Sequence, residues 1–160
     1  MKNLVIYSSK TGNTKKIAQA IASSLNYEIL SVENVKNLDG VGKIIFGFYV
    51  DKGGMTNNAR MIANLIKNRK IGLFMTLGAD PTSDHAKECF ENEKMFFEQN
   101  GCEVVCEFWC QGAIDKNLIE TMRKNAPQMI TPQKEEKWQK ASSHPDENDI
   151  KQAVLAFMEF

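Results

Sequence analysis

The sequence predicts a doubly wound α/β domain, a five-stranded parallel sheet with helices on both faces. Three observations predict it. Five short strand-like runs alternate with segments of helical periodicity, the pattern of a parallel sheet joined by right-handed crossovers. The third run, Lys43 to Tyr49, is apolar almost throughout, which suits a strand buried on both faces. A chain of 160 residues is long enough for one well-filled core and short for two.

In chain order, the first strand covers about 3–7. A loop follows, then a helix with Ile17, Ala18, Ile21, Ala22 and Leu25 at helical spacing. Tyr27 to Val32 reads as a second, weaker strand and 43–49 as the third. After Asp51-Lys52-Gly53-Gly54 comes a helix expected to turn Ala59, Ile62, Leu65 and Ile66 inward. Ile71 to Thr76 is the fourth strand. Leu77-Gly78-Ala79-Asp80-Pro81 is a loop, Thr82 or Ser83 caps the next helix, and Asn100-Gly101 ends it. Cys102 to Cys110 reads as the fifth strand, with Cys102, Val104, Cys106, Phe108 and Cys110 on one face. A helix over 115–125 stops before Pro127. Residues 127–143 read as polar and irregular, part of an insert of about 112–143 within a single domain spanning 1–160. Pro145, Asp146 and Glu147 open a last helix, with Ile150, Ala153, Val154 and Phe157 on its inner face.

Composition narrows the function. Twenty basic and twenty acidic residues cancel, so no overall field draws the chain to nucleic acid or to a membrane surface. No apolar run nears the ~20 residues of a membrane span. Met1 leads straight into a strand, without the pattern of a leader. A cytoplasmic monomer is expected. Cys102, Cys106 and Cys110 recur every four residues, with Cys89 elsewhere, which invites a metal reading, but zinc sites usually set such a pair against further His or Cys ligands, and here the three alternate along a strand. They read as small core residues, and no metal is expected. His85 and His144 stand near helix starts and read as surface residues. No catalytic residue is assigned.

Ligands of doubly wound sheets bind beyond the carboxyl ends of the strands, at the switch in strand order. The loops in question are 8–14, 49–57, 77–82 and 111–114. The first, Ser8-Ser9-Lys10-Thr11-Gly12-Asn13-Thr14, crowds hydroxyls and an amide around one glycine at a helix start. Free backbone N–H groups, the positive end of the helix dipole and small hydroxyls make an anion nest of neutral donors. The loop lacks G-x-x-x-x-G-K-S/T, so nothing in it suits a triphosphate and its magnesium. It also lacks the G-x-G-x-x-G fingerprint of dinucleotide sites. A single terminal phosphate fits, although the same residues are also ordinary turn formers.

Ser9-Lys10-Thr11-Gly12-Asn13-Thr14 resembles the Ser/Thr-x-Thr-Gly-Asn-Thr phosphate loop of flavodoxins, and the order of strands and helices resembles that family over nearly the whole chain. The resemblance implies a flavodoxin-like sheet of order 2-1-3-4-5 and a bound FMN. It implies that Ser9, Thr11, Asn13 and Thr14 hold the phosphate through hydroxyls, amide and backbone N–H, with Lys10 pointing outward. The loops after strands three and four would grip the isoalloxazine ring. The full candidate set is then Ser8, Ser9, Lys10, Thr11, Gly12, Asn13 and Thr14; Tyr49, Val50, Asp51, Lys52 and Gly53; and Thr76, Leu77, Gly78, Ala79 and Asp80. Tyr49 either stacks on the ring or packs in the core. Gly53-Gly54 either allows a peptide flip toward the reduced ring or is a plain turn.

Departures from the family are visible as well. The second ring loop carries no aromatic residue, only Leu77, Ala79 and Pro81, so one ring face is expected to be more open. Trp109 either compensates or covers the sheet. Asp80, Asp84, Glu88, Glu91, Glu93 and Glu98, against Lys87 and Lys94, form either a docking face for a basic partner or a solvated helix. Trp138 is a partner anchor, a lid or a seal for the insert. The wording of Gly47-Phe48-Tyr49-Val50-Asp51-Lys52-Gly53, Thr76-Leu77-Gly78-Ala79 and Cys110-Gln111-Gly112 is similar to a short flavodoxin-like subfamily, members of which accompany gut-bacterial bilirubin reductases. The resemblance implies an electron carrier shuttling between a reductase and an acceptor enzyme. The alternative is an FMN-dependent NAD(P)H or quinone oxidoreductase acting on a small substrate. A phospho-receiver role lacks its acidic pair, since Tyr7 and Ser8 follow the first strand.

Overall fold

The computed structural model describes all 160 residues. Five parallel strands form one sheet: β1 Lys2–Tyr7, β2 Glu28–Ser31, β3 Val41–Tyr49, β4 Lys70–Leu77 and β5 Glu103–Gln111. Their order is β2-β1-β3-β4-β5, as the family resemblance implies. The apolar middle strands β1, β3 and β4 are the buried ones, while β2 and β5 close the two edges.

Helices cover both faces. On one face lie α1 (Asn13–Leu25) and α6 (Glu147–Phe157). Their Ile17, Ile21, Ala153 and Phe157 pack on Val5, Ile45 and Phe74. On the other lie α2 (Asn57–Ala63) and α3 (Asp84–Gln99), where Ala59, Phe90 and Phe97 pack on Ile44, Phe46, Phe48 and Leu73. Alternating strand residues therefore feed two separate cores, the physical basis of the three-layer arrangement. Ser83 caps α3 by accepting the Ala86 N–H, and Asp146 opens α6 with a reciprocal capping box to Asp149.

Several expectations need correction. Residues 127–143 are not irregular. A short 3₁₀ turn at Pro127–Met129 follows α4 (Lys116–Asn125), and α5 runs over Pro132–Ala141. Thr131 accepts the Lys134 N–H as its cap, and Pro132 fills the first turn. A helix with only Ala141 buried has no apolar stripe to reveal it. The inward face of α2 ends early: Leu65 lies past the helix end and is half exposed, while Ile66 is buried. The cysteine face also splits. Ile71 pairs with Val104 and Gly72 with Cys106, so Val105 is an extra residue in β5. That bulge puts Cys102 and Val104 in the α2/α3 core and Cys106, Phe108 and Cys110 in the α1/α6 core. All four thiols are free, and burial pushes the Cys110 thiol far up.

Candidate functional site

The crevice lies at the carboxyl ends of β1, β3 and β4, where the strand order reverses. Gly12 has φ 101 and turns the chain from β1 into α1, a conformation that strains any residue with a Cβ. Its N–H donates to Ser9 Oγ at 3.1 Å. The first helical bond runs from Lys16 N–H to the Gly12 carbonyl, so the N–H groups of Asn13, Thr14 and Lys15 have no acceptor within α1. No side chain caps this helix, unlike α2 to α6.

Beside that turn is a cavity of about 250 Å³. Ser9, Lys10, Thr11, Asn13 and Thr14 line one side; Tyr49, Val50 and Asp51 a second; Thr76, Leu77 and Gly78 a third. The fourth wall is Ala113, Ile114, Asp115 and Leu118, from the segment leading into α4. Those four were not in the candidate set, although loop 111–114 was flagged by the switch-point rule. What named them is tertiary: a Cβ at Gly78 would run into Ile114 Cδ1. The remaining candidates do not line the cavity. Ser8 is buried with its N–H on the Gly47 carbonyl at 2.9 Å. Gly12 shapes the turn from outside, Lys52 and Gly53 form an exposed turn, and Ala79 and Asp80 stand clear on their loop. Asp80 organises the α3 start instead. It accepts the Thr82 hydroxyl at 2.7 Å and the Thr82 N–H at 2.8 Å, which hold its carboxyl below the usual range.

Hydrogen bonds lock the walls together. The buried hydroxyls of Thr14 and Thr76 meet at 2.8 Å, joining α1 to the end of β4. Asn13 Nδ2 donates to the Ala113 carbonyl at 2.9 Å, which ties the cradle to the fourth wall. Gly112 N–H donates to the Leu77 carbonyl at 2.8 Å and Gln111 Nε2 to the Gly78 carbonyl at 3.1 Å. Lys10 is exposed, as expected, but its Nζ lies 3.3 Å from Asp115 Oδ2 across the rim. The Asn117 N–H, and then Lys10, hold the Asp115 carboxyl low. Burial, and then Asp51, push the Tyr49 phenol up.

Trp109 is a sheet cover: its ring centroid is 4.8 Å from that of Phe90 and its Nε1 donates to the Pro81 carbonyl at 2.9 Å. Trp138 is half buried within the insert, with the Arg123 guanidinium 5.6 Å from its ring centroid. Glu93 leaves the acidic face altogether, buried against Arg60.

The sequence profile described as a flavodoxin domain matches residues 4–158. The chain belongs to the flavodoxin domain family. It is 33% identical to the flavodoxin-like domain-containing protein BilS of Clostridioides difficile, over 97% of this chain and 93% of that one. Its fold is similar to that of oxidised Flavodoxin 2 from Bacillus cereus, with a TM-score of 0.58, 20% identity and 99% of both chains covered. It is also similar to two-electron reduced Megasphaera elsdenii flavodoxin, with a TM-score of 0.57, 20% identity and coverage of 72% of this chain and 89% of that one. Flavodoxins bind FMN and transfer electrons with redox partners, and this chain is an FMN-binding electron-transfer protein of that general kind. Its donor set agrees with the cofactor: the Gly12 turn gathers N–H and hydroxyl donors without a carboxylate, as a phosphate monoester requires. No helix is long and apolar enough to cross a membrane.

Proposed function

We propose that this chain carries electrons as a cytoplasmic monomer between a reductase and an acceptor enzyme, with FMN seated in the crevice between the β1 and β4 loops. The observation that carries the reading is the neutral donor cradle of Ser9 to Thr14 opening directly into the cavity of Tyr49 and Ile114. Ser9 and Thr11 hydroxyls and the N–H groups of Asn13 and Thr14 would hold the phosphate. Thr14 serves in addition as the tie to Thr76. Tyr49 would lie along one ring face, and Leu77, Ile114 and Leu118 would give the other an aliphatic wall where an aromatic residue is lacking. Bound FMN supplies the redox chemistry; the chain orients it and excludes water from it. The acceptor implied by the sequence resemblance is a bilirubin reductase.

The test is an FMN titration of purified protein by flavin fluorescence, followed by reduction with NADPH alone and with NADPH plus a flavodoxin reductase. Micromolar or tighter uptake, with rapid reduction only when the reductase is present, is the expected result. Rapid reduction by NADPH alone makes the chain an oxidoreductase in its own right. Failure to take up FMN sinks the proposal.

A further inference from the structure

Glu93 is a buried carboxylate whose role the core does not supply. It stands on the inner face of α3 at 4% exposure, among Ala86, Cys89, Phe90 and Phe97. Its Oε1 accepts from Arg60 Nη2 of α2 at 2.8 Å, and the guanidinium lies 5.0 Å from the Phe96 ring centroid. Its Oε2 is buried with no hydrogen-bond partner in the chain. An apolar residue of that size would avoid the desolvation cost of an ion pair, so packing alone does not explain the choice.

The explanation lies on the other side of Oε1. A Cβ at Gly54 would stand 2.8 Å from that oxygen and 3.6 Å from Arg60 Nη2. Gly54 does not have a positive φ, so what a side chain there would meet is the carboxylate and not a backbone constraint. Gly54 closes a tight turn with Asp51. The Asp51 N–H donates to the Gly54 carbonyl at 2.8 Å, and the return bond is long, at 3.3 Å. Lys52 and Gly53 between them have φ of 51 and 86 and are exposed. The turn follows Tyr49 and Val50, and Asp51 itself lines the cavity. An ion pair with one oxygen to spare thus forms the base of the turn beside the cofactor cavity.

We propose that Glu93, held by Arg60, is a positioning residue for the Asp51–Gly54 turn and keeps the Arg60 cation compensated behind the cofactor site. The proposal rests on the FMN reading above. Glu93→Gln keeps the shape and an acceptor for Arg60 but removes the charge. The variant leaves the Arg60 cation uncompensated, and loading electrons near a cation is favoured, so both midpoint potentials of the bound flavin rise in this variant. At a fixed potential the reduced fraction rises severalfold, a tenfold change reading as about 59 mV for one electron. Glu93→Ala removes the base of the turn. Amide exchange at 51–54 speeds up, and FMN affinity falls about tenfold while affinity for inorganic phosphate is unchanged. A cycle of Glu93→Ala with Gly54→Ala is non-additive in FMN affinity, because the two act through one contact.

Unchanged potentials in Glu93→Gln together with unchanged exchange at 51–54 in Glu93→Ala, whatever happens to the melting temperature, overturn the proposal. If Glu93→Ala does not fold, exchange at 51–54 is read in Gly54→Ala, whose Cβ breaks the same contact, and unchanged exchange there together with unchanged Glu93→Gln potentials overturns the proposal. A wild-type chain that takes up no FMN overturns the functional reading instead, and exchange at 51–54 in the ligand-free protein then decides the positioning role alone.

Discussion

The pairing of Thr14 with Thr76 makes the phosphate cradle and the β4 loop one mechanical unit, and it can be measured. The two hydroxyls are 2.8 Å apart, at 0% and 2% exposure. Thr14→Val replaces a hydroxyl by a methyl of the same shape and strands the Thr76 hydroxyl out of reach of water. The loss of one net hydrogen bond, about 1 kcal/mol, adds to the cost of an orphaned buried hydroxyl, about 1–3 kcal/mol. Each single variant should therefore lose about 2–4 kcal/mol of unfolding free energy. The double variant Thr14→Val/Thr76→Val removes both polar groups and should lose no more than about 1 kcal/mol, because two methyls packed together leave nothing unsatisfied. Urea unfolding of the four ligand-free proteins gives the coupling, expected at about 3 kcal/mol or more in the stabilising direction. FMN titration of the same set adds a second reading: affinity falls in the single variants and recovers with stability in the double, since Thr14→Val keeps the backbone N–H that faces the cradle and removes only a hydroxyl spent on Thr76. Single-variant losses that simply add in the double, to within about 0.5 kcal/mol, would refute the claim that the two loops are joined through these hydroxyls.

Three further outcomes follow from the geometry. Gly12→Ala meets no steric obstacle, since nothing lies within 4 Å of the new Cβ, but it must hold φ 101; about 1–2 kcal/mol of stability is lost in urea, and FMN affinity falls with the displaced N–H groups. The Asp149 N–H holds the Asp146 carboxyl low at the α6 capping box, so its stabilisation is present above the ordinary aspartate range and lost as pH falls through it; the acid unfolding curve by circular dichroism should flatten in Asp146→Asn. Cys110, its thiol pushed far up by burial and then by Asp149 and Asp146, should stay unlabelled by iodoacetamide at pH 8 in the native protein and label fully in urea, as read by mass spectrometry.

How much of the site was legible depended on where each residue's information lay. Ser9 to Thr14 could be read because cradle chemistry is local: donors, a glycine and a helix start are contiguous in sequence. Tyr49 to Asp51 and Thr76 to Gly78 could be placed because strand ends are local too. Ala113 to Leu118 could not be ranked, since their place in the cavity depends on contacts with Gly78 and Asn13 across the sheet. The bond from the Asn13 amide to Ala113 could not be read either, because that carbonyl arrives from a hundred residues away.

The sequence alone determined the class of fold, the succession of its five strands and the helices between them, and the turn chemistry of the cradle, because hydrophobic periodicity, strand-end turns and helix-start chemistry are all written within a few neighbouring residues. Tertiary structure alone decided the Val105 bulge that splits the cysteines between two cores, the helix at Pro132–Ala141 with one buried residue, and the burial of Glu93 beneath Gly54. In each of these the deciding partner lies on another element, and no local pattern records which surface a side chain will meet once the sheet has closed over it.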